Sequence, residues 1–137
     1  MFVKFISVRF VLSSFKINSS AICDLLKKEI ILRCWIDIGD KKFFGPGRAE
    51  LLELIGEEGS ISKAAKKMGM SYKKAWDMVE RMNTTGSKPY LTVHKGGKKG
   101  GGAELTPIGK KVLAAYRKLT ARIDKVVEGD KELLKLI

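Results

Sequence analysis

Apolar residues recur every three or four positions in two neighbouring segments near the middle of the chain, and this spacing predicts two short helices. The first segment contains Ile61, Ala64, Ala65 and Met68, and the second contains Tyr72, Ala75, Trp76 and Val79. Ser60 and Ser71 stand just before the two segments, where a hydroxyl can accept a hydrogen bond from an amide of the first helical turn. Because Gly69 separates the segments, residues 59–83 are predicted to form a helix-turn-helix.

The polar residues of the second helix suggest what this motif does. Lys73, Lys74, Asp77 and Arg81 remain for its exposed face, and long polar side chains of this kind suit a DNA groove. The alternative is two ordinary helices of an all-α domain whose lysines are simply solvated. The neighbouring segments favour the DNA-binding interpretation.

Upstream, the pattern changes to one typical of strands. Residues 30–38 are rich in β-branched and aromatic side chains, and a turn at residues 39–41 lets residues 42–44 return as a second strand. These segments predict a β-hairpin. Trp35 within it is expected to be a core residue rather than a platform for a stacked base.

Downstream, a basic, glycine-rich segment at residues 95–102 lies between two strand-like segments, residues 90–94 and 103–106. Two strands joined by such a tip predict a wing, because glycines let the backbone approach a phosphate closely while lysines add charge. A flexible surface loop is the alternative. A P-loop and a dinucleotide-binding glycine pattern are both absent, and His94 has no nucleophile or carboxylate pair beside it in sequence, so no enzyme is predicted.

Two further helices complete the pattern. A short one over residues 48–55, ended by residues 56–59, would brace the helix-turn-helix, and a long one begins at Thr106 and Pro107. The long helix has an apolar seam that either packs on the domain core or forms a dimer contact. The seam residues are Val112, Tyr116, Leu119, Ile123 and Val126. The predicted fold is α+β and mainly α: a winged helix-turn-helix with an N-terminal β-hairpin, a glycine-rich wing and a long C-terminal helix.

Charge and composition narrow the choice of partner. The chain has 137 residues and a formal net charge of +12, and residues 59–102 hold ten basic and only two acidic residues, which favours a polyanion such as double-stranded DNA. Two cysteines and one histidine cannot assemble a usual zinc site or a disulfide framework, so we expect a cytoplasmic protein without metal or cofactor. No membrane span is expected, because charges interrupt the apolar N-terminal residues.

The predicted domain covers residues 21–128, followed by a short amphipathic tail at residues 129–137. Residues 1–20 are apolar and basic without a clear period. They either pack on a partner as a strand or helix, or precede the authentic start of the protein.

The predicted DNA contacts follow from these elements. The start of the first helix of the motif would hold phosphates, the second helix would face the major groove, and the wing would follow the adjacent backbone or minor groove. Asp77 would accept from a cytosine amino group or orient a lysine. The contact residues are Ser60, Ser62, Lys63, Ser71, Tyr72, Lys73, Lys74, Asp77, Arg81, Lys95, Lys98 and Lys99.

The order of elements and several local motifs resemble the N-terminal DNA-binding domain of the ModE family of molybdate-responsive transcriptional regulators, over about residues 30–125. The motifs are Gly59-Ser60-Ile61-Ser62 with Ala64-Ala65, Met70-Ser71-Tyr72-Lys73 with Ala75-Trp76-Asp77 and Met82-Asn83, and the wing residues 96–103 with Leu105-Thr106 and Gly109. The resemblance implies a homodimeric winged helix on an operator near genes of molybdate uptake or molybdoenzymes.

In the family, molybdate-binding β-barrel domains follow the DNA-binding domain, whereas this chain ends shortly after the long helix. We therefore expect no molybdate site within it. The alternative function is a small DNA-associated interaction module that pairs with a separate molybdate-binding effector protein.

Overall fold

The computed structural model describes residues 29–97, 100–128 and 132–137, and it leaves the side chains of residues 95–97 and 100 undescribed. The fold is α+β and mainly helical, with two small antiparallel hairpins, β1–β2 and β3–β4. The predicted extension at residues 1–20 lies outside the described residues. The elements are β1 (Ile36–Ile38), β2 (Lys41–Phe44), α1 (Pro46–Glu58), α2 (Ile61–Lys67), α3 (Tyr72–Thr85), β3 (Leu91–Gly97), β4 (Gly100–Leu105), α4 (Pro107–Glu128) and α5 (Glu132–Leu136).

The N-terminal hairpin is shorter than predicted. The expected first strand covered residues 30–38, but only Ile36–Ile38 pairs with β2, and residues 29–35 have no regular structure. The reason is a lack of partners: Ile36 is already opposite Phe44, the last residue of β2, and a helix begins at Pro46. A strand residue without a neighbour loses its ladder hydrogen bonds.

The prediction that Trp35 belongs to the core was wrong, because 44% of its surface is exposed. Its ring instead covers Gly45, where a Cβ atom would come within 2.2 Å of the indole. The Lys42 ammonium lies 5.0 Å from the centre of the indole ring, a distance at which a cation is attracted to an aromatic face. Trp35 therefore seals the start of α1 rather than filling the interior.

Helix α1 provides the centre of the core. Leu51, Leu52 and Ile55 are fully buried, and α1 packs against α2, β4 and α4. The helix is longer than the predicted 48–55, because it stops only at Gly59, which takes the left-handed conformation at φ +63° and donates its amide to the Ile55 carbonyl at 2.9 Å. The rest of the core is Phe43, Phe44, Ala49, Ile61, Ala64, Ala65, Ala75, Val79, Met82, Tyr90, Leu91, Ala103 and Tyr116.

The predicted dimer seam of α4 consists of a part that packs on the core and a part that is exposed. Tyr116 is buried in the core of its own chain: its hydroxyl donates to the Cys34 carbonyl at 2.8 Å, and its ring meets Phe44 edge-on at 5.1 Å. Val112 also packs against this core. Leu119 and Val126 remain 40% and 77% exposed. Only the second half of the seam, which includes the partly buried Ile123, is thus available to another molecule.

The start of α4 passes very close to β3. The Thr106 hydroxyl donates to the Pro89 carbonyl at 2.8 Å and accepts from the Gly109 amide at 3.1 Å, which caps the helix. A Cβ atom on Gly109 would lie 2.1 Å from the Tyr90 carbonyl oxygen. Glycine is therefore required here by space. None of the described helices is long and apolar enough to cross a membrane.

Two glycine substitutions should change stability in opposite directions. Gly109→Ala should lower the free energy of unfolding by about 3 kcal/mol, because backbone atoms cannot move aside at low cost. Gly47→Ala in α1 should raise it by up to about 1 kcal/mol, since a Cβ atom there meets nothing within 4 Å and alanine favours the helix. Urea unfolding of both variants measures this, and equal effects would contradict the described contact between α4 and β3.

Candidate nucleic-acid interface

The two helices of the predicted motif have the expected caps. The Ser60 hydroxyl accepts a hydrogen bond from the Lys63 amide at 3.4 Å, and the Ser71 hydroxyl accepts one from the Lys74 amide at 3.2 Å. Between the helices, Gly69 has a φ of +65°, a conformation that favours glycine. The two predicted short helices, their serine caps and the glycine between them are therefore present.

Helix α3 has one apolar and one polar face. Ala75, Val79 and Met82 are buried against the core. The opposite side carries exposed polar residues, and among the described residues its cations have no carboxylate within 4 Å. These exposed residues are Tyr72, Lys73, Lys74, Asp77 and Arg81. Long cationic side chains therefore point outward together from a single helix face.

Not every lysine in this region is available for a ligand. The Lys67 ammonium lies 2.5 Å from a Glu58 carboxylate oxygen, and this hydrogen bond lowers the pKa of the carboxyl. Ser62 and Lys63, at the start of α2, are exposed, and Ser60 is partly exposed. Lys63, which follows the Ser60 cap, is therefore accessible to a ligand, whereas Lys67 is paired.

An exposed aromatic pair on α3 faces the β3–β4 hairpin. Tyr72 is 52% and Trp76 is 37% exposed, with ring centroids 6.1 Å apart. Trp76 belongs to the apolar run whose spacing predicted this helix, and its ring lies at the boundary between the buried and the exposed face. The pair forms one wall of an open cleft of about 340 Å³. The cleft is lined by Ser60, Ile61, Ser62, Tyr72, Trp76, Val93, His94, Gly101 and Gly102.

The glycine-rich segment forms more strand than expected. Strand β3 continues to Gly97 and β4 already starts at Gly100, so the strands extend into the predicted tip at residues 95–102. Lys98 and Lys99 lie outside the described residues, and the side chain of Lys95 is not described. The predicted wing contacts of these three lysines therefore stay predictions.

The hairpin is attached to the helical part at its base. The Ala103 amide donates to the Gly59 carbonyl at 2.9 Å, which joins β4 to the residue that ends α1. Across the hairpin, His94 Nε2 lies 3.0 Å from a Glu104 carboxylate oxygen, and both side chains are exposed. His94 is thus an exposed residue of the hairpin whose nearest described acid is on the opposite strand.

Asn83 is a positioning residue that sequence reasoning missed. Its side-chain oxygen accepts from the amides of Tyr90 at 2.8 Å and Leu91 at 3.0 Å, and its side-chain nitrogen donates to the Leu91 carbonyl at 2.9 Å. One amide group thus satisfies three backbone groups at the start of β3. Two sequence signals were present: Asn83 follows the last apolar position of α3, and Met82-Asn83 belongs to the motifs of the family resemblance. Neither reveals a partner eight residues away.

The arrangement suits a rigid polyanion better than a small molecule. Exposed cations lie on α3 and at the start of α2, and the cleft between α3 and the hairpin is open to solvent. Within the described residues, no group of three or more histidine, cysteine, aspartate or glutamate side chains could hold a metal ion. The geometry therefore offers surface contacts along a helix and a hairpin.

The chain is similar to molybdenum-related proteins over about 90 residues. It is 47% identical to the molybdenum-pterin-binding protein MopB of Rhodobacter capsulatus over 67% of this chain and 34% of that protein. It is 39% identical to the molybdenum transport protein ModE of Azotobacter vinelandii, over 61% and 35% of the two chains. It is 40% identical to the DNA-binding transcriptional dual regulator ModE of Escherichia coli K12, over 66% and 34%. No protein-family model matches the chain.

These comparisons show homology to ModE regulators and Mop proteins, which are regulators and binding proteins by name. The chain spans about a third of the length of the curated relatives it matches.

Asn83→Ala should lower the free energy of unfolding by about 2 to 3 kcal/mol, because it leaves partly buried backbone groups without partners. Thr84→Ala is the matched control on the same helix. Its exposed hydroxyl bonds carbonyls of its own helix, that of Glu80 at 2.8 Å and that of Arg81 at 3.5 Å, so the expected change is below about 0.5 kcal/mol. Chemical denaturation measures both, and an Asn83 effect no larger than the control would refute its positioning role.

Proposed function

We propose that this chain is a sequence-specific, DNA-binding transcriptional regulator with a winged helix-turn-helix fold. The observation that carries the proposal is the cationic face of α3, which has no ion pair within the described part of the chain and lies beside the cleft and the β3–β4 hairpin. Similarity to a regulator that is named DNA-binding supports the same conclusion.

In this proposal α3 is the recognition helix. The major groove is about 12 Å wide and admits one helix, so the groove would receive the face that carries Lys73, Lys74 and Asp77. Ser60, Ser62 and Lys63 would contact phosphates at the start of α2, where backbone amides favour anions. The hairpin would act as the wing and follow the adjacent backbone with Lys95, Lys98 and Lys99.

The proposed targets are genes of molybdate transport or molybdoenzymes. Support for this link comes from the names of the relatives, which refer to molybdenum transport and molybdenum-pterin binding. The matched segment is about a third of those proteins. The proposal therefore concerns the DNA that this chain binds and names no effector.

Two variants should separate base reading from phosphate contact. Lys74→Ala should cost about 1 to 3 kcal/mol on a duplex recovered by selection from a random library, and should relax the preference at one base position. Lys63→Ala should weaken all duplexes similarly and reduce the salt slope by about one unit of log K per log salt.

Lys125→Ala on α4 removes the same charge and is the control. Fluorescence anisotropy at several salt concentrations gives the affinities. Equal affinity of the unmodified chain for every duplex would contradict sequence-specific binding.

We also propose that the chain is a homodimer through the exposed part of α4. Leu119, Ile123 and Val126 follow one another at helical spacing, and Leu119 and Val126 are exposed apolar side chains. Helix-turn-helix dimers read two half-sites, so pairing would also extend the recognised sequence. Val112 and Tyr116 would support this helix from the core side.

The double substitution Leu119→Gln with Val126→Gln should convert the dimer to a monomer, because it removes the apolar contact. Lys118→Gln with Lys125→Gln changes neighbouring exposed positions of α4 and should leave the dimer intact. Light scattering coupled to size-exclusion chromatography measures the mass. A monomeric unmodified chain would contradict the proposal and favour a module that pairs with a separate effector protein.

A further inference from the structure

A second cavity, of about 420 Å³, opens on the side of α3 away from the aromatic pair. The β1–β2 hairpin, the first turn of α1 and the last turns of α3 form its walls. Four of its lining residues are cations, Lys41, Lys42, Arg48 and Arg81, and the described lining contains no carboxylate. Of these four, Arg81 is the one predicted from the sequence to contact DNA, because the other three lie on elements far from α3 in sequence.

Arg48 is held in this cavity without a counter-ion among the described residues. Its Nη1 atom donates to the Lys42 carbonyl at 3.1 Å and to the Phe43 carbonyl, which fixes the guanidinium against β2. Its Nε–H is buried and has no described hydrogen-bond partner. A buried donor without an acceptor is costly. Since Arg48 also lines the cavity, an anion bound there would offset part of this cost.

The electrostatics of the two arginines indicate the charge of that ligand. Burial lowers the pKa of Arg48, and the nearby positive charge of Arg81 lowers it further. Arginine nonetheless stays protonated in proteins, so the repulsion between the two guanidinium groups persists in the folded chain. An anion between them would offset both the desolvation and the repulsion.

Lys42 is also oriented before any ligand binds. Its ammonium lies 5.0 Å from the centre of the Trp35 ring, a contact that restricts a flexible side chain. Arg48 is restricted by its two bonds to the backbone of β2. Two of the four cations are thus preorganised, which reduces the entropy lost on binding.

The cavity continues the exposed stripe of α3. Arg81 follows Lys74 by seven residues, which is two helical turns, so the two side chains lie on the same side and about 10 Å apart along the axis. Thr85, one turn further, also lines the cavity. If Lys74 reaches into a groove, the cavity lies where the backbone at the edge of that groove would pass.

We propose that this cavity binds one backbone phosphate of the DNA duplex, with Arg48 and Arg81 as hydrogen-bond donors and Lys41 and Lys42 as additional charges. Guanidinium groups match the geometry of phosphate oxygens. The four cations of the lining therefore favour an anionic phosphate over an apolar ligand. The inference rests on the proposed function and deepens it. It makes the N-terminal hairpin part of the DNA-binding surface.

The experiment pairs a protein substitution with the removal of single phosphate charges. In a set of duplexes of the selected sequence, each carries one neutral methylphosphonate linkage. With the unmodified chain, the contacted linkage should lower the affinity about tenfold, the effect of losing a hydrogen-bonded charge. With Lys42→Gln and Arg81→Gln combined, that same linkage should change the affinity less than about twofold, while other sensitive linkages keep their effects.

Lys118→Gln with Lys125→Gln is the matched control, since it removes the same charge from exposed positions of α4 and should leave every linkage effect unchanged. Arg48 is left intact because its bonds to β2 also support the fold. If all linkage effects persist in the Lys42 and Arg81 variant, the cavity does not hold a DNA phosphate, although the chain still binds DNA. If the unmodified chain binds no duplex, the proposed function fails and this inference fails with it.

A second readout distinguishes DNA from a free oxyanion. The nitrogen-15 signal of the Arg48 Nε–H should shift on addition of the duplex, and the shift should be lost when the contacted linkage is neutral. Inorganic phosphate alone should not saturate the signal below about millimolar concentration, because ion pairs that stay open to water are individually weak. Saturation by inorganic phosphate without any dependence on linkage would overturn the assignment to DNA.

Discussion

Residues 89–91 contact three neighbouring elements, two through backbone hydrogen bonds and one through the Tyr90 ring, and these contacts determine how the helices and the β3–β4 hairpin are arranged. Asn83 at the end of α3 bonds Tyr90 and Leu91, while Thr106 at the start of α4 bonds Pro89. The Tyr90 ring meets Phe43 edge-on at 6.2 Å, which joins the same point to the N-terminal hairpin. Because these bonds exist before a ligand binds, α3 and the hairpin reach a partner already in position, and little ordering entropy is lost.

The charges on the surface follow from this arrangement. One face of α3 must be apolar to pack on α2 and β2, so the cations gather on the other face, where nothing in the described chain neutralises Lys73, Lys74 or Arg81. Arg48 and Arg81 also lie near each other, and the repulsion between their positive charges is unfavourable in the free chain. Unneutralised charge of this kind is expected where an anionic partner completes the structure. The proposed DNA complex would remove the repulsion that the free chain tolerates.

Local signals in the sequence predicted the local structure well. The serine caps and Gly69 located α2 and α3, because a cap depends on residues only three positions apart. Burial was harder, since it depends on which elements meet. Trp35 was expected among the buried residues but is exposed, and Tyr116 belongs to the core although its spacing also suited a dimer seam. Asn83 and Arg48 act through contacts between separate elements, which no spacing pattern reveals.

The central claim is that α2, α3 and the β3–β4 hairpin form one surface for duplex DNA. The most direct measurement is a titration of the nitrogen-15-labelled chain with the selected duplex, followed through its backbone amide signals. The account predicts that the largest changes fall at residues 60–63, along the exposed face of α3 and in the hairpin, with small changes in the second half of α4. Changes confined to α4 and α5, or none at equimolar duplex, would contradict it.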